Sequence, residues 1–298
     1  MYHEPVLLRE SLDGLNIKEG GVYVDATFGG GGHSRELLSR LNEGKLFGFD
    51  QDEDAIKNAL KDKRFMFINH NYRHMKRFLR YYNALPVDGV IADLGISSHQ
   101  IDTASRGFST RFDSDLDMRM NRSGELTAEV ILNSYNEAQL TQIFSEYGEV
   151  RNTKTLVAKI VGERKANSIS NTSQFKQLIT PLAERGNENQ YYAQVFQALR
   201  IEVNDELDAL KDFLQACAEV IVEGGRLVVI AYHSLEDRLV KNFISKGRFE
   251  GEAEKDLYGN INNLPFRAVT KKPFLSSEEE IKSNPRARSA KMRIAERI

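Results

Sequence analysis

Four consecutive glycines, Gly29 to Gly32, follow a short apolar run that ends in a carboxylate, Val22-Tyr-Val-Asp25, and this junction constrains the fold more than any other stretch. Backbone without Cβ atoms, placed between a strand and a helix, is what the carboxyl edge of a parallel sheet offers to a ligand. The flanking pattern agrees. Apolar runs at 22–26, 45–49, 65–68 and 89–93 alternate with helical spacing at 34–41, 54–60 and 75–82, which predicts βαβ units. An amphipathic helix is predicted over 205–222, closed by a left-handed glycine cap at Gly224-Gly225, and the very apolar run 225–231 resumes the sheet. Runs at 266–271 and 290–295 read as antiparallel strands. The fold class is α/β: a doubly wound, mostly parallel sheet with an antiparallel C-terminal strand.

Between residue 100 and about residue 204 the alternation stops, and helical patterns take over at 127–134, 137–146, 153–164, 173–184 and 191–201. The simplest account is a discontinuous sheet domain, 1–102 with 203–298, and an inserted all-α domain, 103–202. With 298 residues and 41% apolar composition, such a chain can fill a sizeable core. It contains no apolar stretch of about 18 residues and no signal-peptide run at its start, so a cytoplasmic protein without membrane contact is expected. Its single cysteine, Cys217, cannot form an internal disulfide and falls in an apolar helical pattern, which reads as core. The net charge of −2 excludes a globally basic nucleic-acid coat. From Lys282 onward, however, six basic residues stand against one acid, a bias suited either to phosphates or to a solvated tail.

The glycine loop departs from the dinucleotide pattern G-x-G-x-x-G, because counting from Gly29 the third glycine would fall on Ser34. An acid before the glycines suits a cofactor with an ammonium head group and no pyrophosphate, which is the description of S-adenosylmethionine. Asp50 closes the second strand about 20 residues beyond the glycines, where an acid can accept both ribose hydroxyl protons. Asp52 is the better candidate to cap the turn at Asp54. After the third strand, Tyr72 and Phe78 compete as the aromatic that meets adenine, and either can equally be core. Asp93, at the end of the fourth strand, has three roles open to it: acceptor for the N–H of a poorly nucleophilic base amine, partner of the cofactor's ammonium, or cap of the turn. Gln100 could bridge cofactor and loop. His233 follows the fifth strand and could face the substrate as donor or proton acceptor, or be structural, with Ser234 and Asp237 as a helix-capping pair. No grouping has persuasive metal-ligand spacing, and no metal is expected.

Six ordered blocks carry a resemblance to a known family: Asp25-Ala-Thr-Phe-Gly with Gly31-Gly-His-Ser-Arg35, Asp93-Leu-Gly-Ile-Ser-Ser98, Arg106-Gly-Phe-Ser109, Leu116-Asp-Met-Arg-Met120, Ala198-Leu-Arg-Ile-Glu-Val-Asn204 and His233-Ser-Leu-Glu-Asp-Arg238. With the opening His3-Glu-Pro-Val-Leu7 and the final stretch 284–293, the chain resembles the bacterial 16S ribosomal RNA (cytosine-N4)-methyltransferase family, known as RsmH or MraW, over essentially its whole length. The resemblance implies a Rossmann-like class I methyltransferase domain with a helical insertion for substrate recognition. It implies methylation of a decoding-centre cytidine to N4-methylcytidine, on 16S RNA within the small subunit or a late assembly intermediate, and it leaves a homodimer open. Carried over by motif, Gly31, Gly32, His33, Asp50, Asp93 and Gln100 bind S-adenosylmethionine, together with Tyr72 or Phe78. Asp93 and His233 are the catalytic candidates. The family lacks the Pro-Pro-aromatic part of the usual amino-methyltransferase motif, and so does this chain. RNA contact is expected from the insertion, from the segment 106–120 and from the basic tail, although Arg111 and Arg119 could instead pair with Asp113, Asp115 and Asp117. The rivals are the same pocket working on DNA or another RNA site, and a nucleic-acid-binding scaffold that has lost catalysis.

Overall fold

The computed structural model describes residues 5–254 and 264–298, so His3 and Glu4 of the opening motif lie outside the described residues. It divides into two compact units, Met1–Gly95 with Leu207–Ile298, and Ile96–Glu206. The chain runs α1 (Leu8–Leu15), β1 (Val22–Asp25), α2 (Gly32–Ser39), β2 (Lys45–Phe49), β3 (Phe65–Ile68), α3 (Met75–Tyr81) and β4 (Val87–Asp93). Then come α4 (Ser98–Asp102), α5 (Ala128–Ser134), α6 (Glu137–Glu146), α7 (Thr153–Arg164), α8 (Thr172–Ile179) and α9 (Glu188–Asn204). The remainder is α10 (Glu206–Val220), β5 (Ile221–Ala231), α11 (Ser234–Lys246), β6 (Phe266–Ala268), β7 (Phe274–Leu275), α12 (Glu278–Ser283) and β8 (Lys291–Arg297).

The first unit is a sheet in the order β3-β2-β1-β4-β5-β8-β6, with β7 also on β8. Strands β1 to β5 pair in parallel, whereas β8 runs antiparallel to both β5 and β6. Its strands are apolar on both faces, as a sheet covered by helices on each side requires. Alternation divides them: Val90, Ala92, Leu227, Val229 and Ala231 join the core that includes Phe213 of α10 and Phe243 of α11, while Ile91, Val228 and Ile230 join the opposite core with Leu12 of α1 and Leu37 of α2. The strand order reverses between β1 and β4, which opens a crevice at their carboxyl ends.

Four local expectations change. Residues 54–60 form a 3₁₀ turn, Glu53–Asn58, because Ala55 alone in it is buried and there is no apolar stripe to hold a longer helix; Asp52 caps it by accepting from the Asp54 N–H. Gly224 and Gly225 do not cap α10, which passes into β5 at Ile221. They lie instead where the β4–β5 register slips, Val87 facing Ile221 but Gly89 facing Arg226. The helix predicted over 173–184 ends at Ile179, where Pro181 lacks the N–H to continue it. The basic tail is not wholly solvated, although Lys282 and Arg288 are exposed. It contains β8, whose Arg293 donates to both Asp237 oxygens at 2.6 and 3.2 Å and whose Arg297 bonds the Ala218 carbonyl at 2.8 Å. Cys217 is core, and burial pushes its thiol pKa up.

The second unit is helical, with one isolated bridge, Asp115 to Asn171, and a core that includes Leu116, Met118, Phe144, Phe175 and Leu199. Polar side chains start its helices: Thr127, Asn136 and Asn171 each accept a backbone N–H of the first turn. The segment 106–120 belongs to this core. Arg106 is 1% exposed, donates to the Arg119 and Met120 carbonyls at 2.9 and 3.0 Å, and lies over the Phe108 ring. Arg119 clasps Asp117 through Nε and Nη2, both at 2.8 Å, and Arg111 reaches Asp102 at 2.9 Å. Gly107 sits at φ +72°, and a Cβ there would lie 2.4 Å from the Asp115 carbonyl oxygen. Gly107→Ala therefore combines left-handed strain with a backbone clash, and it is expected to destabilise this unit by about 2 kcal/mol or more in urea titration. An unchanged midpoint would contradict this packing.

Candidate active site

The turn from β1 into α2 is built by one carboxylate. Asp25 accepts the Thr27 N–H at 3.1 Å and the Ser34 hydroxyl at 2.6 Å, and it is buried. Burial raises its pKa, with His33 and Ser34 working the other way. Between these anchors, Gly29 and Gly31 adopt φ values of +51° and +73°, a region that disfavours any side chain. A Cβ on Gly31 would stand 2.7 Å from the Phe28 ring, and one on Gly32 would stand 2.2 Å from Pro5. The atoms that crowd these two glycines belong to the chain itself, a demand the sequence did not distinguish from a ligand's approach.

Each neighbouring strand end is tied to this turn. Asp50, just after β2, accepts the Gly29 N–H at 2.8 Å on one oxygen and the Asp52 N–H at 2.8 Å on the other. Burial pushes its pKa up to about 6, with Asp52 and Asp25 adding repulsion. At the end of β4, the Asp93 N–H donates to the Thr27 hydroxyl at 2.6 Å. The Asp93 side chain is 25% exposed, its Oδ2 4.0 Å from His33 Nδ1. Its Oδ1 accepts the Tyr232 hydroxyl at 2.7 Å. Burial pushes the Asp93 pKa up to about 6 as well, against the opposing influence of His33 and Tyr232. The His33 ring is buried, with Nε2 3.1 Å from the Val6 carbonyl oxygen. A carbonyl only accepts, so Nε2 donates to it, and Nδ1 is the nitrogen turned to Asp93.

Acids on adjoining strand ends beside a left-handed glycine turn make a site for a ligand with cationic and hydroxyl groups. Comparison with known proteins gives this site a family: the model of the MraW methylase family matches residues 1–298. The chain belongs to the MraW methylase family. It is 54% identical over 298 residues to ribosomal RNA small subunit methyltransferase H of Christiangramia forsetii, covering 100% of this chain and 98% of that one. To the protein of the same name from Cytophaga hutchinsonii it is 56% identical over 299 residues, with 100% of each covered. Among solved structures, an rRNA methylase from Streptococcus thermophilus aligns with a TM-score of 0.45 at 12% identity, over 100% of this chain and 99% of that one.

Within this MraW-family chain, Gly31, Gly32, His33, Asp50 and Asp93 come together around the β1 turn. Tyr72 packs edge-on against Phe213 with ring centroids 5.1 Å apart, and Phe78 lies 6.2 Å from Phe49 and 4.5 Å from His70. Both rings are half-buried on the same core. His233 is the N-cap of α11: its Nδ1 is 3.5 Å from the Glu236 N–H nitrogen and its Nε2 is 3.2 Å from Glu236 Oε1. The capping pair is therefore His233 with Glu236 rather than Ser234 with Asp237, which is taken up by Arg293. Gln100 belongs to the second unit, where its side-chain oxygen accepts the Ser97 N–H at 3.0 Å in a capping box. Sequence reasoning missed Thr27, Tyr232 and Glu236. Glu236 is buried and accepts the Tyr232 N–H at 2.9 Å. A hydroxyl two residues past a strand-end acid, as at Thr27, is a signal that could have been read.

The raised Asp93 pKa has a stability consequence with a definite sign. Unfolded, the group ionises near its ordinary value of 3.8; folded, at about 6, so its contribution to stability is full below the first value and lost as pH rises through the second. Asp93→Asn should accordingly gain stability relative to the native chain between about pH 4 and about pH 7, by on the order of 1–3 kcal/mol. Urea titrations at both pH values check this, and an offset independent of pH would contradict it.

Proposed function

We propose that this chain transfers a methyl group from S-adenosyl-L-methionine to the exocyclic N4 amine of a cytidine in the decoding centre of 16S ribosomal RNA. The products are N4-methylcytidine and S-adenosyl-L-homocysteine. What carries the reading is the full-length match to the MraW methylase family, together with relatives at 54% and 56% identity named for small-subunit ribosomal RNA methylation.

The residues present fit the cofactor. Each Asp50 oxygen uses one lone pair on a backbone N–H, which leaves acceptor capacity for the two ribose hydroxyls. The Gly32 and His33 N–H groups open α2, where a helix leaves its first donors without intrahelical partners, and they suit the cofactor's carboxylate. Beyond burial, Asp52 and Asp25 raise the pKa of Asp50, and Asp25 and Glu236 raise that of Asp93, an environment that welcomes cationic groups and opposes a pyrophosphate. When bound, the cofactor supplies a methyl group made electrophilic by its sulfonium.

The amine lone pair of cytosine is delocalised into the ring, so the protein must orient it. Asp93, a quarter exposed at the end of β4, accepts an amine N–H, aims the nitrogen's lone pair at the methyl group and, as the N–C bond forms, takes the proton that the nitrogen must lose. His33 holds the Val6 segment behind this carboxylate, and His233 fixes the start of α11 beside it. The second unit carries substrate recognition, with RNA of the small subunit or a late assembly intermediate as partner in the cytoplasm. Among the described residues, no helix is long and apolar enough to cross a membrane.

Three experiments test this reading. Labelled S-adenosylmethionine with small subunits from cells lacking the modification should place label on an N4-methylated cytidine of 16S RNA. Label on DNA or on another nucleotide would overturn the substrate. Asp93→Ala should abolish turnover, and a near-normal rate would refute its role. In calorimetry, Asp50→Ala should weaken cofactor binding by about 10- to 100-fold, as loss of paired hydroxyl contacts implies, whereas unaltered affinity would remove Asp50 from the ribose site.

A further inference from the structure

Tyr232 follows β5 directly and is held there by contacts that do not involve its hydroxyl. Its N–H donates to Glu236 Oε2 at 2.9 Å, and it packs against the core that includes Ile91, Val228 and Ile230. A phenylalanine would satisfy the same backbone and ring packing. The hydroxyl is what differs, and it donates to Asp93 Oδ1 at 2.7 Å. Burial and the Asp93 charge push the Tyr232 pKa well up, so the phenol remains a donor across the working range.

We infer that Tyr232 is a positioning residue for methyl transfer: its hydroxyl occupies Asp93 Oδ1, keeps the carboxylate ionised, and leaves Oδ2 as the acceptor for the substrate amine. The inference rests on the reading of Asp93 as that acceptor. To take the amine's proton Asp93 must be ionised, and its burial and its neighbours bear on that state. Asp25 from β1 and Glu236 from α11 raise its affinity for a proton, while His33 from α2 and Tyr232 lower it. Tyr232 itself faces Asp93, Glu236 and Glu280 of α12. Of the two groups that favour the ionised form, His33 is 4.0 Å away and Tyr232 is in hydrogen-bond contact. The neutral phenol favours the carboxylate by donating to it, without adding a charge that would oppose a cationic cofactor. Occupying one oxygen also restricts rotation of the carboxylate, so that the second is presented in one orientation.

The test is Tyr232→Phe in single-turnover methylation of small subunits at saturating S-adenosylmethionine, followed from about pH 5.5 to about pH 8.5. The acid limb should move upward by about one pH unit relative to the native chain, with a severalfold loss near pH 6 and a smaller loss on the plateau. Cofactor affinity by calorimetry should stay within about twofold, since the hydroxyl acts through Asp93. Independently of turnover, the ¹³C carboxyl signal of Asp93 in the cofactor-free variant should titrate higher than in the native chain. An unmoved acid limb, an equal loss at every pH, or a loss explained by weaker cofactor binding would overturn the inference. Asp93→Asn separates it from the reading beneath it. If Asp93→Asn turns over normally, the role of Asp93 falls and Tyr232 with it. If Asp93→Asn is inactive and the Tyr232→Phe limb is unmoved, Tyr232 alone is wrong.

Discussion

The buried carboxylate of Asp25 holds the β1 turn in shape by accepting from Thr27 and Ser34, and the rest of the site hangs from that turn. Once the loop is fixed, its Gly29 N–H meets Asp50 at the end of β2, its Thr27 hydroxyl meets the backbone of Asp93 at the end of β4, and its His33 ring meets Val6. A single loop thereby sets the positions of two strand ends and of the segment before α1. Preorganisation of this kind uses backbone donors and short side chains, which lose little rotamer freedom when they are ordered.

The same arrangement concentrates negative charge. Asp50 and Asp93 are both pushed up to about 6 by burial, so ionising them inside the fold costs stability that the unfolded chain would not lose. A set of acids whose partners offset burial only in part suits a cationic ligand, and a sulfonium with an ammonium fits that description. The glycines carry a second local cost. Their left-handed turn and the contacts at Phe28 and Pro5 exclude side chains, whatever is bound. The sheet reversal between β1 and β4 then explains why the acids gather at one edge.

Much of this was legible in the sequence because it rests on local patterns. Short apolar runs located β1 to β5, and the end of their alternation with helical patterns after β4 marked the helical insertion. Motifs at strand ends named Asp50 and Asp93 without coordinates. What the sequence did not reveal depends on partners distant along the chain. The sequence left His233 between a substrate-facing and a structural role because its pairing with Glu236 shares the first turn with a competing Ser234–Asp237 pattern, and Asp237 is claimed by Arg293, 56 positions away. The strand in the basic tail was legible from its apolar run, but its place between β5 and β6 was not. Tyr232 escaped notice for a related reason, since its hydroxyl partner Asp93 lies 139 positions earlier.

The central claim is that the carboxyl edge around the β1 turn holds the methyl donor. A crystal structure of the chain with S-adenosyl-L-homocysteine tests it most directly. The account predicts the ribose hydroxyls on the Asp50 carboxylate and the amino-acid end of the ligand beside Gly31, Gly32, His33 and Asp93. A ligand ordered elsewhere on the chain, with Asp50 and the glycine turn untouched, would contradict it.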